Sequence, residues 1–177
     1  MHVDKQAIFE EARELMREWY PNLYDKPGAC LYWNQVAMRT LMIHGFKPLL
    51  QAGTMLWKIN DDLDPEACNA FGYQWSPEEP LSQAQLSAGL LPELHIWAGL
   101  KETNELIDFS TAYFRQIAEE EHRFKWTSPD PPKFIWGKPP EHALYCPTAS
   151  ATMFAWRFIL EKQGLSPREN SYATAKL

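Results

Sequence analysis

"ELHIWAGLKETNELIDFS" (Glu93–Ser110) decides how this 177-residue chain is read. Two apolar runs flank the polar "KETN", the pattern of two antiparallel strands joined by a short turn. A histidine opens the first strand and a carboxylate closes the second. With the turn centred on Lys101-Glu102, His95 stands directly opposite Asp108. With the turn centred on Glu102-Thr103, His95 faces Ser110 and Asp108 lies on the diagonal. Side chains alternate along a strand, so both registers put His95 and Asp108 on one face and Glu105 on the other. Direct partners have Cβ atoms about 5 Å apart and diagonal ones about 7 Å apart. The expectation is an imidazole whose Nδ1 proton is held by Asp108.

An imidazole oriented by a carboxylate is half of a nucleophilic site. Upstream, "KPGACLYWNQVAMRTLMIHGF" (Lys26–Phe46) carries the first of three cysteines. The turn pair Pro27-Gly28 leads to Cys30, which opens a nearly apolar helix expected over Cys30–His44 and ended by Gly45. A helix N-terminus presents unpaired N–H groups and a positive partial charge. Both favour a thiolate over a thiol, as does an adjacent imidazolium. In that arrangement Cys30 attacks a carbonyl carbon, His95 holds and delivers the proton, and Asp108 fixes the tautomer. The Cys30 backbone N–H supplies half of an oxyanion hole. Tyr24 and Asn22 in the preceding loop, and Asn34 one turn into the helix, are candidates for the other half. Each residue also has a plainer use. Cys30 can be a small core hydrophobe, His95 a strand-edge side chain, and Asp108 a cap for the next helix, shared with Ser110. Trp33, Tyr73, Trp75 and Trp97 are candidates to line a substrate cleft, and the large rings among them serve equally as core.

Working outward, Val3–Tyr20 has apolar residues at helical spacing with Asp4 as N-cap. Pro21–Gly28 is a turn-rich loop. Phe46–Ile59 reads as one or two strands, with Gly53 marking a bulge or turn. Asn60–Pro92 is long, acidic and rich in turn residues, with "AFGYQW" a short strand inside it, and its length makes it the expected source of specificity. Thr111–Phe124 reads as a helix capped by Ser110. A short strand follows at Phe134–Trp136, a last strand at Ala143–Pro147 and a last helix at Ala149–Gln163. Residues 166–177 read as a loose tail. The order predicts one α+β domain over residues 1–177.

Hydrophobic residues make up 45% of the chain, enough for a proper core. The balance of 17 basic against 23 acidic residues, without a basic run, counts against nucleic acid as a partner. The charged amphipathic start lacks the layout of a signal peptide. No stretch approaches about 18 uninterrupted apolar residues, so no membrane span is expected. Three widely spaced cysteines (Cys30, Cys68, Cys146) fit a reducing cytoplasm better than a disulfide framework. His142 and Cys146 offer two ligands where zinc takes three or four, so neither metal nor cofactor is expected. Oligomeric state is not legible in the sequence.

The motifs "GACLYWNQVA", "ELHIWAGL" and "ELIDFST", in that order, resemble those of the papain-like and transglutaminase-like cysteine hydrolase superfamily. The resemblance spans Pro27–Thr111 and suggests a small bacterial-type member. It implies a central helix that carries the cysteine and packs on an antiparallel sheet, with histidine and acid on neighbouring strands. It further implies a Cys30–His95–Asp108 triad acting on an amide, peptide or related acyl bond by hydrolysis or acyl transfer. Two departures count against broad endoproteolysis and protein cross-linking: an aspartate where papain has asparagine, and a less extended arrangement than in mammalian transglutaminases. A non-catalytic binding protein on the same fold and a glutamine-deamidating effector remain the alternatives.

Overall fold

The computed structural model describes residues 3–60, 69–88 and 94–162. They form a mixed α+β structure in which a curled antiparallel sheet is packed by helices. The first helix, α1 (Lys5–Trp19), is capped by Asp4, whose Oδ1 accepts the N–H of Ala7. It buries Ile8, Phe9, Ala12 and Met16, the apolar stripe expected of one helix face. Helix α2 (Cys30–Ile43) starts at the cysteine as the Pro-Gly turn suggests. Gly28 makes that entry possible, because its φ of +76° is costly for residues with a Cβ.

Strand β1 (Pro48–Lys58) is long and central. It pairs antiparallel with β2 (Ala70–Tyr73), β3 (His95–Leu100) and β6 (Ala143–Pro147). The path β2-β1-β3-β4-β5 is completed by β4 (Glu105–Asp108) and β5 (Ile135–Gly137). Gly53 neither breaks nor turns β1. It lies within the strand because a Cβ there would run into the Cys146 carbonyl oxygen on β6.

Two elements differ from the sequence reading. Within the long acidic segment, Pro80–Ser87 forms a helix, α3, with Pro80 in its first turn. Its sequence, PLSQAQLS, is short and mostly polar and buries only Ser82, so it has little hydrophobic periodicity to detect. Thr111–Phe124 is not one regular helix. It runs as a 3-10 turn (Thr111–Tyr113), a short α4 (Phe114–Gln116) and a wider π turn (Ile117–Glu121). Ser110 does not cap it, because the Ser110 hydroxyl is spent on Asp108. The last helix, α5, covers Ala149–Lys162. Cys68 and the 166–177 tail lie outside the described residues. No helix among the described residues is long and apolar enough to cross a membrane.

Strand β3 is buried at every position. On one face Ala98, Leu100 and Ile107 pack with Phe9, Met16, Trp33, Val36 and Leu41 of α1 and α2. On the other, Trp97 and Leu106 pack with Trp57, Phe71, Phe114 and Trp126. A third cluster joins Leu50, Ala52 and Ile96 to Ala151, Ala155 and Ile159 of α5. His95 and Asp108 share strand parity with Trp97 and Leu106, so they belong to the aromatic face. The first turn of α2 reaches the start of β3, where the Cys30 thiol donates to the Leu94 carbonyl oxygen at 3.6 Å.

Candidate functional site

The β3–β4 hairpin pairs Ala98 with Ile107, Gly99 with Leu106 and Leu100 with Glu105. Continued to its end, this register sets His95 against Ser110 and leaves Asp108 on the diagonal, the wider of the two turns considered. The diagonal is short enough. His95 Nε2 donates to Asp108 Oδ2 at 2.7 Å, with both side chains buried. The nitrogen assignment is the reverse of the expected one: Nε2 meets the acid and Nδ1 is left over. From the diagonal position the far nitrogen of the ring is the one that reaches the carboxylate. Nδ1 is buried without a hydrogen-bond partner.

Asp108 is held at both oxygens. Oδ1 accepts the Ser110 N–H at 2.9 Å and the Ser110 hydroxyl at 2.7 Å. Oδ2 accepts the Tyr145 hydroxyl at 2.8 Å beside the His95 bond. Burial opposes charge on both members of the pair, and their mutual attraction prevails. For His95, burial works against the charged ring, but the Asp108 carboxylate, its hydrogen bond and the nearby Cys30 side chain raise the pKa to about 10. For Asp108, burial is outweighed by the His95 charge and the bonds from His95 and Ser110, which hold the carboxyl below its usual range. Burial and the adjacent Asp108 charge push the Tyr145 hydroxyl well above its usual range. The pair is therefore an imidazolium and a carboxylate.

Strand register also explains the rings around the imidazole. Tyr73 pairs with Met55, His95 with Gly53 and Trp97 with Gln51. Partners two apart on β1 put the three rings in sequence along one face. Tyr73 stacks on His95 at 5.5 Å and 13°, and Trp97 stacks at 5.7 Å and 24°. Phe114 meets the ring edge-on at 5.3 Å. Trp97 is itself anchored by its Nε1 donating to Gln51 Oε1 at 2.8 Å. The imidazole therefore has little freedom to rotate.

Cys30 and His95 line one small cleft together with Gly28, Ala29, Tyr73, Ser110, Tyr113, Phe114 and Ile117. Its cavity volume is about 10 Å³, roughly the space of one water. Ala29, the N-cap of α2, offers no side-chain cap, and its carbonyl oxygen accepts the Trp33 N–H. The N–H groups of Cys30 and Leu31, in the first turn, have no intrahelical acceptor.

The structure brings together Cys30, His95, Asp108 and Tyr73. It does not bring the other candidates to the cleft. The Tyr24 hydroxyl accepts from Arg13 and Arg17 at 2.8 and 3.0 Å. Asn22 is exposed in its turn. Asn34 is buried on α2, one turn below Cys30, and does not line the cleft. Trp33 packs in the α1–α2 core against Tyr24 and Tyr113, and Trp75 packs against Phe154 of α5. Trp97 backs the imidazole instead of lining the cleft.

Sequence reasoning missed Tyr145, Tyr113, Phe114 and Ile117. Only Ser110 left a signal, as the residue two after the acid, a spacing that lets a side chain and its N–H fold back on a carboxylate. Among the described residues, no group of three or more histidine, cysteine or acidic side chains could hold a metal ion. His142 lies edge-on to Trp57 at 4.9 Å, and Cys146 is exposed. No family model, no curated protein and no solved structure matches this chain.

Proposed function

We propose that the protein is a cysteine-dependent hydrolase or acyltransferase, with Cys30 as nucleophile, His95 as acid–base and Asp108 as the orienting group. The observation that carries this reading is the buried His95–Asp108 bond of 2.7 Å, whose free ring nitrogen belongs to the same cleft as a cysteine at a helix N-terminus. Cys30 attacks the carbonyl carbon as the thiolate, its proton already held on Nδ1 of the His95 imidazolium. The N–H groups of the first turn of α2 meet the oxygen that becomes negative. Nδ1–H then protonates the leaving amine or alcohol, leaving a thioester on Cys30. Water or an amine, losing its proton to Nδ1, attacks the thioester, expels Cys30 as the thiolate and restores the imidazolium. The order Cys, His, Asp and the cysteine helix beside an antiparallel sheet support a papain-like or transglutaminase-like arrangement.

One observation favours a second reading. The Cys30 thiol already donates to the Leu94 carbonyl oxygen, as a structural cysteine would, and the fold would then serve binding alone. Alkylation of the native protein with iodoacetamide, read residue by residue, separates the two. The catalytic reading expects Cys30 to react faster than Cys146, although Cys146 is the more exposed of the two. It also expects His95→Ala to abolish that advantage. Reaction of Cys30 only after unfolding would establish the structural reading.

A further inference from the structure

Resting on the catalytic reading above, we infer that the acyl group accepted by Cys30 is uncharged and unbranched at the carbon next to its carbonyl. The walls of the cleft carry the inference. Apart from the catalytic groups, the side chains facing it are Tyr73, Ser110, Tyr113, Phe114 and Ile117, and none bears a charge. Two of the polar groups among them are already committed. The Ser110 hydroxyl donates to Asp108 Oδ1 at 2.7 Å, and the Tyr113 hydroxyl donates to the Tyr24 carbonyl oxygen at 2.6 Å.

A carboxylate or ammonium on the acyl chain would lose water on entry and meet no uncompensated opposite charge, because the walls are neutral and the His95 imidazolium is already balanced by Asp108 at 2.7 Å. Steric limits act in the same direction. The volume of about 10 Å³ beside the sulfur admits one group of about water size. Phe114 and Ile117 are almost wholly buried and packed in the aromatic core, so the wall behind them yields only at a packing cost. A methyl or methylene next to the carbonyl fits this space, whereas a second substituent on that carbon meets a ring or the Ile117 branch. Acetyl groups, straight-chain acyl groups, glycyl carbonyls and glutamine side-chain carboxamides share this shape. An α-branched aminoacyl carbonyl does not.

The test uses the intact protein and four p-nitrophenyl esters: acetate, butyrate, isobutyrate and hemisuccinate. Acylation of Cys30 is followed by peptide mass spectrometry, and each rate is divided by that of N-acetylcysteine with the same ester. We expect acetate and butyrate to acylate Cys30 about tenfold or more faster than isobutyrate or hemisuccinate. Ile117→Val, which removes one methyl from the wall, narrows the gap for isobutyrate and leaves hemisuccinate excluded. Equal normalised rates for all four esters would overturn the inference and leave the catalytic reading standing. Failure of every ester and of iodoacetamide to modify native Cys30 would overturn both.

Discussion

The β4 strand carries two carboxylates three residues apart, and each meets a cation at 2.7 Å. Glu105 pairs with Lys5 of α1, and those side chains are 26% and 40% exposed. Asp108 pairs with His95, and those are 2% and 0% exposed. The strand's alternation sends them to opposite faces, so two bonds of one length have different consequences. Water screens the first, and such pairs contribute about 0–1 kcal/mol. The second is sealed by Tyr73, Trp97, Phe114 and Tyr145. There, loss of either partner strands a polar group in the core. Distance alone does not rank these pairs, whereas burial and the partners of each remaining atom do.

The largest expected effect comes from breaking the buried member. Asp108→Ala should lower stability by about 3–5 kcal/mol, measured by urea denaturation at neutral pH. A loss under 1 kcal/mol would mean that the carboxylate is not the partner on which the imidazolium depends. The same comparison has a pH signature. His95 is raised to about 10 from 6.5, so its share of stability is complete below about pH 6.5 and fades as pH rises toward 10. Asp108 is lowered from 3.8, so its share is complete above about pH 4 and is lost as pH falls further. Both shifts describe one pair and count once. The stability gap between the native protein and Asp108→Asn should therefore be widest between about pH 4 and 6.5 and close toward pH 10. A gap that widens with rising pH would contradict the imidazolium–carboxylate assignment.

An intermediate effect is expected at Tyr145. Its hydroxyl shares Asp108 Oδ2 with His95, drawing off part of the carboxylate's negative charge. Tyr145→Phe keeps the ring packing against Trp97 and removes one charge-assisted bond, a loss of about 1.5–3 kcal/mol. The carboxylate then acts more strongly on His95, so the imidazole's titration midpoint, followed by histidine NMR, should move upward. A downward move would mean that orientation of the acid outweighs its charge. The smallest effect belongs to the exposed pair. Glu105→Gln should cost no more than about 1 kcal/mol and leave the His95 titration unchanged. A shift in that titration would show that the two faces of the hairpin are electrically coupled.

Much of this arrangement is local and was therefore legible. The Asp4 cap, the helix start at Cys30 and the facing of His95 and Asp108 each depend on residues close together in sequence. Alternation along the hairpin by itself separates Asp108 from Glu105. Register was narrowed to two choices, and the structure takes the one centred on Glu102-Thr103, with Asn104 at a φ of +53° completing the turn. The nitrogen that meets the acid followed from that choice, and no sequence pattern selects it. Tyr145 was hidden for a different reason. Its strand was foreseen, but its pairing with β1 joins residues about ninety positions apart, and only that pairing delivers the hydroxyl to Asp108. The broken helix at Thr111–Glu121 kept a helical pattern in sequence while its backbone opened into a wider turn, which places Ile117 on the cleft. Loop side chains such as Tyr24 looked available because their nearest partners, Arg13 and Arg17, lie on another element.

The ring stack on β1 has a consequence of another kind. His95 lies between the faces of Tyr73 and Trp97, where circulating π electrons oppose an applied magnetic field. Its carbon-bound protons should resonate upfield of those of an exposed histidine such as His44. The candidate base thus carries its own spectroscopic label, and any rearrangement that slides the three strands against one another would erase it.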